Sequence, residues 1–91
     1  MKTNPQIIMK KEILFNSLLT GSYNNISFTD MVNLVEAFGF ILARKQGSHN
    51  IFKHPAIKEF INLQNYKGDA KPYQIRQFLQ LVEKYNLKLG E

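Results

Sequence analysis

The chain has 91 residues, a length that fits one domain over residues 1–91 and is too short for two. Its hydrophobic content of 44% is typical of a folded globule, and the absence of cysteine excludes a disulfide framework and a thiolate zinc site. All of the net charge of +5 falls in residues 44–76, where seven Lys and Arg side chains are balanced only by Glu59 and Asp69. A localised basic surface favours a polyanionic partner, although charge alone fits a solubilising surface equally well.

The sequence has no apolar run near the roughly 20 residues that a membrane-spanning helix needs. Its N-terminal stretch carries several lysines and no apolar segment followed by a small-residue cleavage site, so no signal peptide is predicted. We therefore expect a cytoplasmic protein without a membrane partner.

The first predicted element is a helix over residues 5–19. Asn4 can cap its N-terminus, and Pro5 suits the first helical position. Its broad apolar stripe can pack on the rest of the domain or against a partner, and the sequence leaves this choice open.

The second predicted element is a helix over residues 29–38, which Gly39 ends. Thr29 is the preferred N-cap, and Ser27 with Asp30 offers an alternative capping box one turn earlier. The apolar residues of this helix recur at helical spacing and are assigned to the core.

Three short runs then alternate apolar and polar residues as strands do, at residues 40–45, 50–54 and 60–65. A Gln46-Gly47 turn joins the first two runs and predicts a hairpin. Regular alternation puts Phe40 and Leu42 on one face of the first strand.

A last amphipathic helix covers residues 72–85. The whole order of elements predicts an α+β fold with a three-stranded antiparallel sheet. We expect the helices to pack on one face of this sheet, which leaves the opposite face free for a ligand.

Acidic side chains are too scarce and too scattered to indicate a metal site. They show no pairing of the kind that two-metal nucleases or glycosidases need, and the chain has no glycine-rich phosphate loop. No acid is placed to complete a triad with Ser48 and His49. The sequence therefore favours chemistry that uses neither a metal ion nor a cofactor.

The two histidines, His49 and His54, are five positions apart, an odd spacing that sends strand side chains to opposite faces. We therefore expect one catalytic histidine. A structural role is the stronger interpretation of His54, which precedes Pro55 at a strand end. Histidine is the residue type whose charge changes near neutrality, and His49 lies among cations, which suits chemistry on a phosphate. Taken alone, it is also consistent with an exposed turn residue.

The chain resembles the HicA toxins of HicA–HicB toxin–antitoxin pairs in a set of spaced residues after the helix that ends at Gly39. These residues are Phe40, Arg44, Gly47-Ser48-His49, Phe52 and His54-Pro55. The resemblance covers residues 28–85. The chain departs from the shortest family members in its extra helix at 5–19 and in residues 71–78, which lead into the last helix.

The resemblance implies a double-stranded-RNA-binding-like fold over residues 27–87, with the helix at 5–19 added to it. It also implies an endoribonuclease that acts on mRNA, a HicB-like antitoxin as protein partner, and His49 as the catalytic residue.

The remaining expectations concern residues that assist such a reaction. Lysine and arginine can stabilise the charge that develops on the phosphorus, and main-chain N–H groups in a turn can add to this. The candidates for RNA binding and transition-state stabilisation are Arg44, Lys45, Gly47, Ser48, Lys53, Lys71 and Arg76. Two alternatives stay open: an RNA-binding module of the same fold that does not cut RNA, and a protein-interaction domain that uses its first helix.

Overall fold

The computed structural model describes residues 10–90, which form an α+β fold of three helices and one antiparallel sheet. The sheet contains four strands in the order β1-β2-β3-β4, so each strand pairs with its neighbour in sequence. The elements are α1 (Lys11–Leu19), α2 (Phe28–Ala37), β1 (Ile41–Gln46), β2 (His49–Lys53), β3 (Ile61–Tyr66), β4 (Asp69–Ala70) and α3 (Pro72–Lys84).

The fourth strand corrects the expectation of three. β4 has two residues, too few to show an alternating pattern in sequence, and it forms a hairpin with the end of β3. The two turn residues between them, Lys67 and Gly68, have positive φ angles of 53° and 92°. Two positive φ angles define the type I′ turn that suits the twist of a two-residue hairpin.

Within the described residues α1 begins at Lys11. The predicted start of this helix, with Asn4 and Pro5, lies outside the described residues. Leu14 and Leu18 are fully buried. This helix therefore packs on α2 as part of the core, which decides the choice that its apolar stripe left open.

Ser27 is the N-cap of α2, and its hydroxyl accepts a hydrogen bond from the Asp30 N–H at 3.0 Å. The preference for Thr29 was wrong, because Thr29 lies inside the first helical turn. The helix ends before Gly39, whose φ of 97° is one that side-chain-bearing residues rarely adopt. A Cβ at Gly39 would also lie 2.9 Å from Nε2 of His54.

The core lies between the helices and one face of the sheet. The sheet contributes Phe52, Ile61 and Leu63, and the helices contribute Phe78, Ile75 and other apolar residues, all almost fully buried. Gln74 of α3 is buried beside them, and its Oε1 accepts a hydrogen bond from the Gln64 N–H at 2.7 Å. This bond gives the N–H of Gln64 a partner, because the short β4 pairs only with Asn65 and Tyr66 of β3.

No helix among residues 10–90 has the length and apolar character to cross a membrane.

Candidate nucleic-acid interface

The sheet face opposite the helices carries three of the eight predicted site residues, namely Arg44, His49 and Lys53. Paired residues of neighbouring strands share a face, and residues two apart on one strand do as well. The register pairs Arg44 with Ile51 and His49 with Gln64. This face, here called the open face, therefore presents Arg44, His49, Ile51, Lys53, Asn62, Gln64 and Tyr66.

A β-bulge brings Arg44 onto the open face. The register shifts between Leu42 and Arg44, because these residues pair with the adjacent residues Phe52 and Ile51. Ala43 is the extra residue that this shift leaves unpaired. Without the bulge, Arg44 would share a face with Leu42; with it, Arg44 lies diagonal to His49, where Cα atoms are about 7–8 Å apart.

His49 is the first residue of β2. The interpretation of His49 as a turn residue, which the sequence allowed, is therefore wrong. The residue is half-buried, and its imidazole contacts Asn62 of β3. Nδ1 of His49 lies 3.1 Å from Nδ2 and 3.3 Å from Oδ1 of Asn62. The amide oxygen of Asn62 can therefore accept a hydrogen bond from a protonated Nδ1. If the amide is flipped, its nitrogen can instead donate a hydrogen bond to an unprotonated Nδ1. In both cases Nε2 of the ring is left for a ligand.

The turn before His49 is fixed by two hydrogen bonds to one carbonyl. The Ser48 carbonyl accepts from the Asn65 N–H at 3.0 Å and from Nδ2 of Asn50 at 3.2 Å. Asn50 is itself buried, and its Nδ2 also lies 3.3 Å from the Leu63 carbonyl. The backbone that carries His49 is thus held from two strands.

Gly47 and Ser48 line a recess of about 180 Å³ together with Lys45 and three residues of the surrounding strands and α2. Lys45 pairs with the buried Asn50, so its side chain belongs to the helix-facing side of the sheet. Strand alternation therefore separates Lys45 from Arg44, and the bulge puts Arg44 and not Lys45 on the open face, although the sequence placed both near His49.

His54 has a structural place, as its sequence position indicated. Its Nδ1 accepts a hydrogen bond from the Ala56 N–H at 3.0 Å, so the ring proton lies on Nε2, which donates to the Phe38 carbonyl at 3.1 Å. The ring also packs edge-on against Phe40, with centroids 5.0 Å apart. Both nitrogens are engaged in closing the end of α2, and neither faces His49.

The remaining predicted cations divide between two sites. Lys71 Nζ lies 5.2 Å from the ring centroid of Tyr66, at the end of the open face nearest the Gly47-Ser48 turn. Arg76 instead lies 5.8 Å from the ring of Tyr23, in a groove between α1 and α3. The structure therefore does not bring Arg76 to His49.

The acidic residue Glu59, which lies just before β3, is occupied by residues at the C-terminal end of α3. Its carboxylate accepts hydrogen bonds from Nζ of Lys84 at 2.8 Å and from the hydroxyl of Tyr85. These bonds, from Lys84 first, lower the pKa of Glu59, and the same carboxylate raises the pKa of Lys84 and of Tyr85. Between residues 10 and 90 this is the one ion pair, so the cations of the open face have no acidic partner.

A model of the family described as the HicA toxin of bacterial toxin–antitoxin systems matches residues 28–83. The chain belongs to the HicA toxin family. No curated protein sequence matches the chain. The match spans α2, the whole sheet and nearly all of α3, and it leaves out α1. The fold agrees with the double-stranded-RNA-binding-like arrangement that the resemblance implied. A HicA toxin is one half of a toxin–antitoxin pair, so an antitoxin partner is implied for it.

Sequence reasoning missed three residues of this interface: Asn62, Tyr66 and Asn50. A signal for the first two was present, because alternation from Ile61 puts residues 62, 64 and 66 on the face that the buried Ile61 and Leu63 do not use. Asn50 had no such signal, since a buried asparagine follows from its particular partners and not from any period.

Proposed function

We propose that this HicA toxin is an endoribonuclease that cleaves mRNA without a metal ion, with His49 as the general acid/base. The proposal is carried by one observation, the imidazole of His49 oriented by Asn62 on a basic face that none of the described helices covers. Its expected place of action is the cytoplasm, where mRNA is found.

RNA supplies its own nucleophile in the 2′-hydroxyl. In the proposed step, Nε2 of His49 takes the proton of this hydroxyl while the 2′-oxygen forms a bond to phosphorus. The bond from phosphorus to the 5′-oxygen breaks, and this oxygen takes a proton from the imidazolium or from water. The products are a 2′,3′-cyclic phosphate and a 5′-hydroxyl end.

Asn62 suits both halves of this step. A neutral ring that bears its proton on Nδ1 donates it to the amide oxygen and leaves Nε2 bare to act as the base, and the imidazolium that forms keeps the same hydrogen bond. Arg44 is diagonal to His49, and its guanidinium can pair with the phosphate oxygens as charge develops on them. Lys53 lies further along the same face of β2 and supports the RNA backbone.

Groups of three or more His, Cys, Asp or Glu that would hold a metal ion are absent from residues 10–90. The proposal accordingly gives each chemical role to a side chain of the open face.

The experiment is cleavage of RNA by the purified protein in the presence of a chelator, with analysis of the new ends. Cyclic phosphate and 5′-hydroxyl ends at an undiminished rate are expected. Cleavage that stops on chelation, or 5′-phosphate ends, would contradict the mechanism. RNA binding without any new ends would favour the non-catalytic RNA-binding module.

We further propose that the antitoxin is HicB-like and blocks the open face directly. Two exposed apolar residues support this, Ile41 with 57% and Phe60 with 64% of their surface accessible. Ile41 pairs with Lys53, and Phe60 directly precedes β3, so both lie at the Lys53 end of the sheet. Apolar anchors beside unpaired cations suit a protein partner with an apolar centre and an acidic rim.

A further inference from the structure

We propose that Tyr66, between Lys67 and Lys71, forms a stacking subsite for an unpaired nucleobase of single-stranded RNA, next to the nucleotide at His49. This inference rests on the proposed function, because it takes RNA as the ligand of the open face. It adds to that function a preference for single-stranded substrate and names the residues that produce it.

Tyr66 lies on the same face as His49 and close to it. Gln64 is the cross-strand partner of His49, and Tyr66 follows two residues later, about 7 Å further along β3. The residue between them, Asn65, donates its N–H to the Ser48 carbonyl at 3.0 Å. A strand of RNA with one phosphate at His49 therefore brings an adjacent base within reach of the Tyr66 ring.

The ring of Tyr66 is available and is flanked by cations. It is 52% exposed. Nζ of Lys67 and Nζ of Lys71 lie 5.4 Å and 5.2 Å from its centroid. Asp69 is its partner across the hairpin, but the carboxylate forms no ion pair with either lysine.

An exposed ring beside free ammonium groups is the combination that single-stranded nucleic acids need. Every base has a flat face that stacks on an aromatic ring, and the adjacent phosphates need positive charge. When a base stacks on Tyr66, the lysine heads that it displaces can bind those phosphates. A paired base in a duplex does not offer its face, so the subsite favours single strands.

The hairpin that carries Tyr66 is fixed by hydrogen bonds to its turn. The Gly68 N–H donates to Oδ1 of Asn65 at 2.8 Å, and the Gly68 carbonyl accepts from the Phe28 N–H at 2.8 Å. The turn is thus closed by its own strand and tied to the start of α2. A rigid ring loses little conformational entropy when a base stacks on it.

Lys67 gives a second, independent indication. Its φ of 53° is in the left-handed region, at a turn position that favours Asn, Asp or Gly. A lysine there is less stable than an asparagine, and residues in sparsely populated conformations concentrate at functional sites. The conformational cost is explained if the ammonium group of Lys67 has a ligand.

The test measures binding in the His49→Ala background, so that the RNA stays intact and the outcome does not depend on catalysis. The probes are a short single-stranded oligoadenylate and an abasic strand of equal length, which has the phosphates without the bases. We expect tighter binding of the oligoadenylate by about 5- to 150-fold, the range of one stacked base. Adding Tyr66→Leu should remove most of this difference, and adding Tyr66→Phe, which keeps the ring, should retain it.

Lys67→Asn supplies a matched variant because asparagine suits the turn. It should leave the melting temperature unchanged or higher, weaken binding of both strands alike, and reduce the log–log salt slope by about 0.7. A base preference that persists in Tyr66→Leu overturns the subsite, as does a preference for duplex RNA that Tyr66→Leu leaves unchanged. Binding of neither strand overturns the subsite together with RNA as the ligand. Intact binding without cleavage by the unsubstituted protein rejects only the proposed catalysis.

Discussion

Among residues 10–90, the amide of Asn62 is the one side-chain partner of Nδ1 of His49, so in the proposed reaction it controls how the imidazole can act. An amide can both donate and accept, so it tolerates the neutral and the charged ring equally. A carboxylate in its place would accept only, and it would stabilise the charged ring.

We therefore predict that Asn62→Asp moves the pH profile of RNA cleavage to higher pH. The added negative charge keeps the imidazolium protonated further into the alkaline range, so each limb that His49 controls shifts upward. Asn62→Leu should lower the maximal rate without such a shift. Cleavage rates across pH 5–9, roughly the range in which histidine titrates, provide the measurement. A profile that is unchanged in Asn62→Asp would show that the amide does not position the catalytic ring.

Arg44 and Lys45 provide a comparison between neighbouring cations on opposite faces of β1. Arg44→Ala should slow cleavage about 10²-fold, as the loss of a group that stabilises the developing charge does, while Lys45→Ala should cost less than about tenfold. Both variants remove one positive charge from an exposed strand, so the comparison cancels the effect on net charge. Equal losses would argue that β1 acts only through its overall charge.

The side chain of His54 links the end of α2 to the start of the β2–β3 connection. The ring donates to the last turn of the helix at Phe38 and accepts from the loop at Ala56. It satisfies a helix carbonyl that has no intrahelical partner, and it occupies the space that Gly39 leaves free.

His54→Ala should therefore destabilise the fold by about 1–3 kcal/mol, the usual cost of leaving such groups unpaired. In a domain of this size, that loss lowers the melting temperature by roughly 4–24 °C. His49→Ala is the matched control, since the same change on the open face removes little packing. We expect the folded fraction of His54→Ala to cleave RNA at a rate near that of the unsubstituted protein. A catalytic loss at full stability would assign His54 to the active site.

Much of this arrangement of elements is predictable from sequence, for reasons that are local. The stripe of α2 and the alternation of β3 are repeated several times within one element, so a single misplaced residue does not hide them. The same alternation predicted that His49 and His54, at an odd spacing, lie on opposite faces, and the structure has them apart.

The features that sequence did not predict depend on contacts between elements. The bulge at Ala43 is a property of how β1 and β2 pair. Without a bulge, regular alternation would put Arg44 on the same face of β1 as Leu42. β4 exists because a type I′ turn at Lys67 returns the chain for two residues. The contact of Asn62 with His49 requires the register of β2 on β3, which no single stretch of sequence contains.

At the scale of the whole molecule, the helices and the open face have separate tasks. The helices and the inner sheet face hold the apolar core, and residues 44–76 place most of their cations where no helix covers them. Glu59 is tied to Lys84, and Arg44 and Lys53 of the open face are in no ion pair with the described residues, so this face favours an anionic partner. Under the proposed function, RNA and the antitoxin compete for this one surface.

If the two ligands compete for one surface, different residues should still contribute to antitoxin binding and to RNA cleavage. Phe60→Ser and Ile41→Ser should weaken binding of the antitoxin at least about tenfold, as the loss of an apolar anchor does, and should change RNA cleavage much less. Ile13→Ser is the control, because Ile13 is 58% exposed on α1, away from the sheet. Titration calorimetry with the antitoxin provides the affinities. If Ile13→Ser alone weakens the complex, the antitoxin binds the helices and inhibits from a distance.

The role of His49 is tested most directly by the rate of RNA cleavage by purified His49→Ala, compared with the unsubstituted protein. Circular dichroism and the melting temperature establish that both are folded, and binding of RNA to both is measured in parallel. The account predicts retained binding and a rate lower by about 10²–10⁴-fold, the usual loss on removal of a general acid or base. A rate within about threefold of the unsubstituted protein would contradict it, because the imidazole would then take no part in the proton transfers.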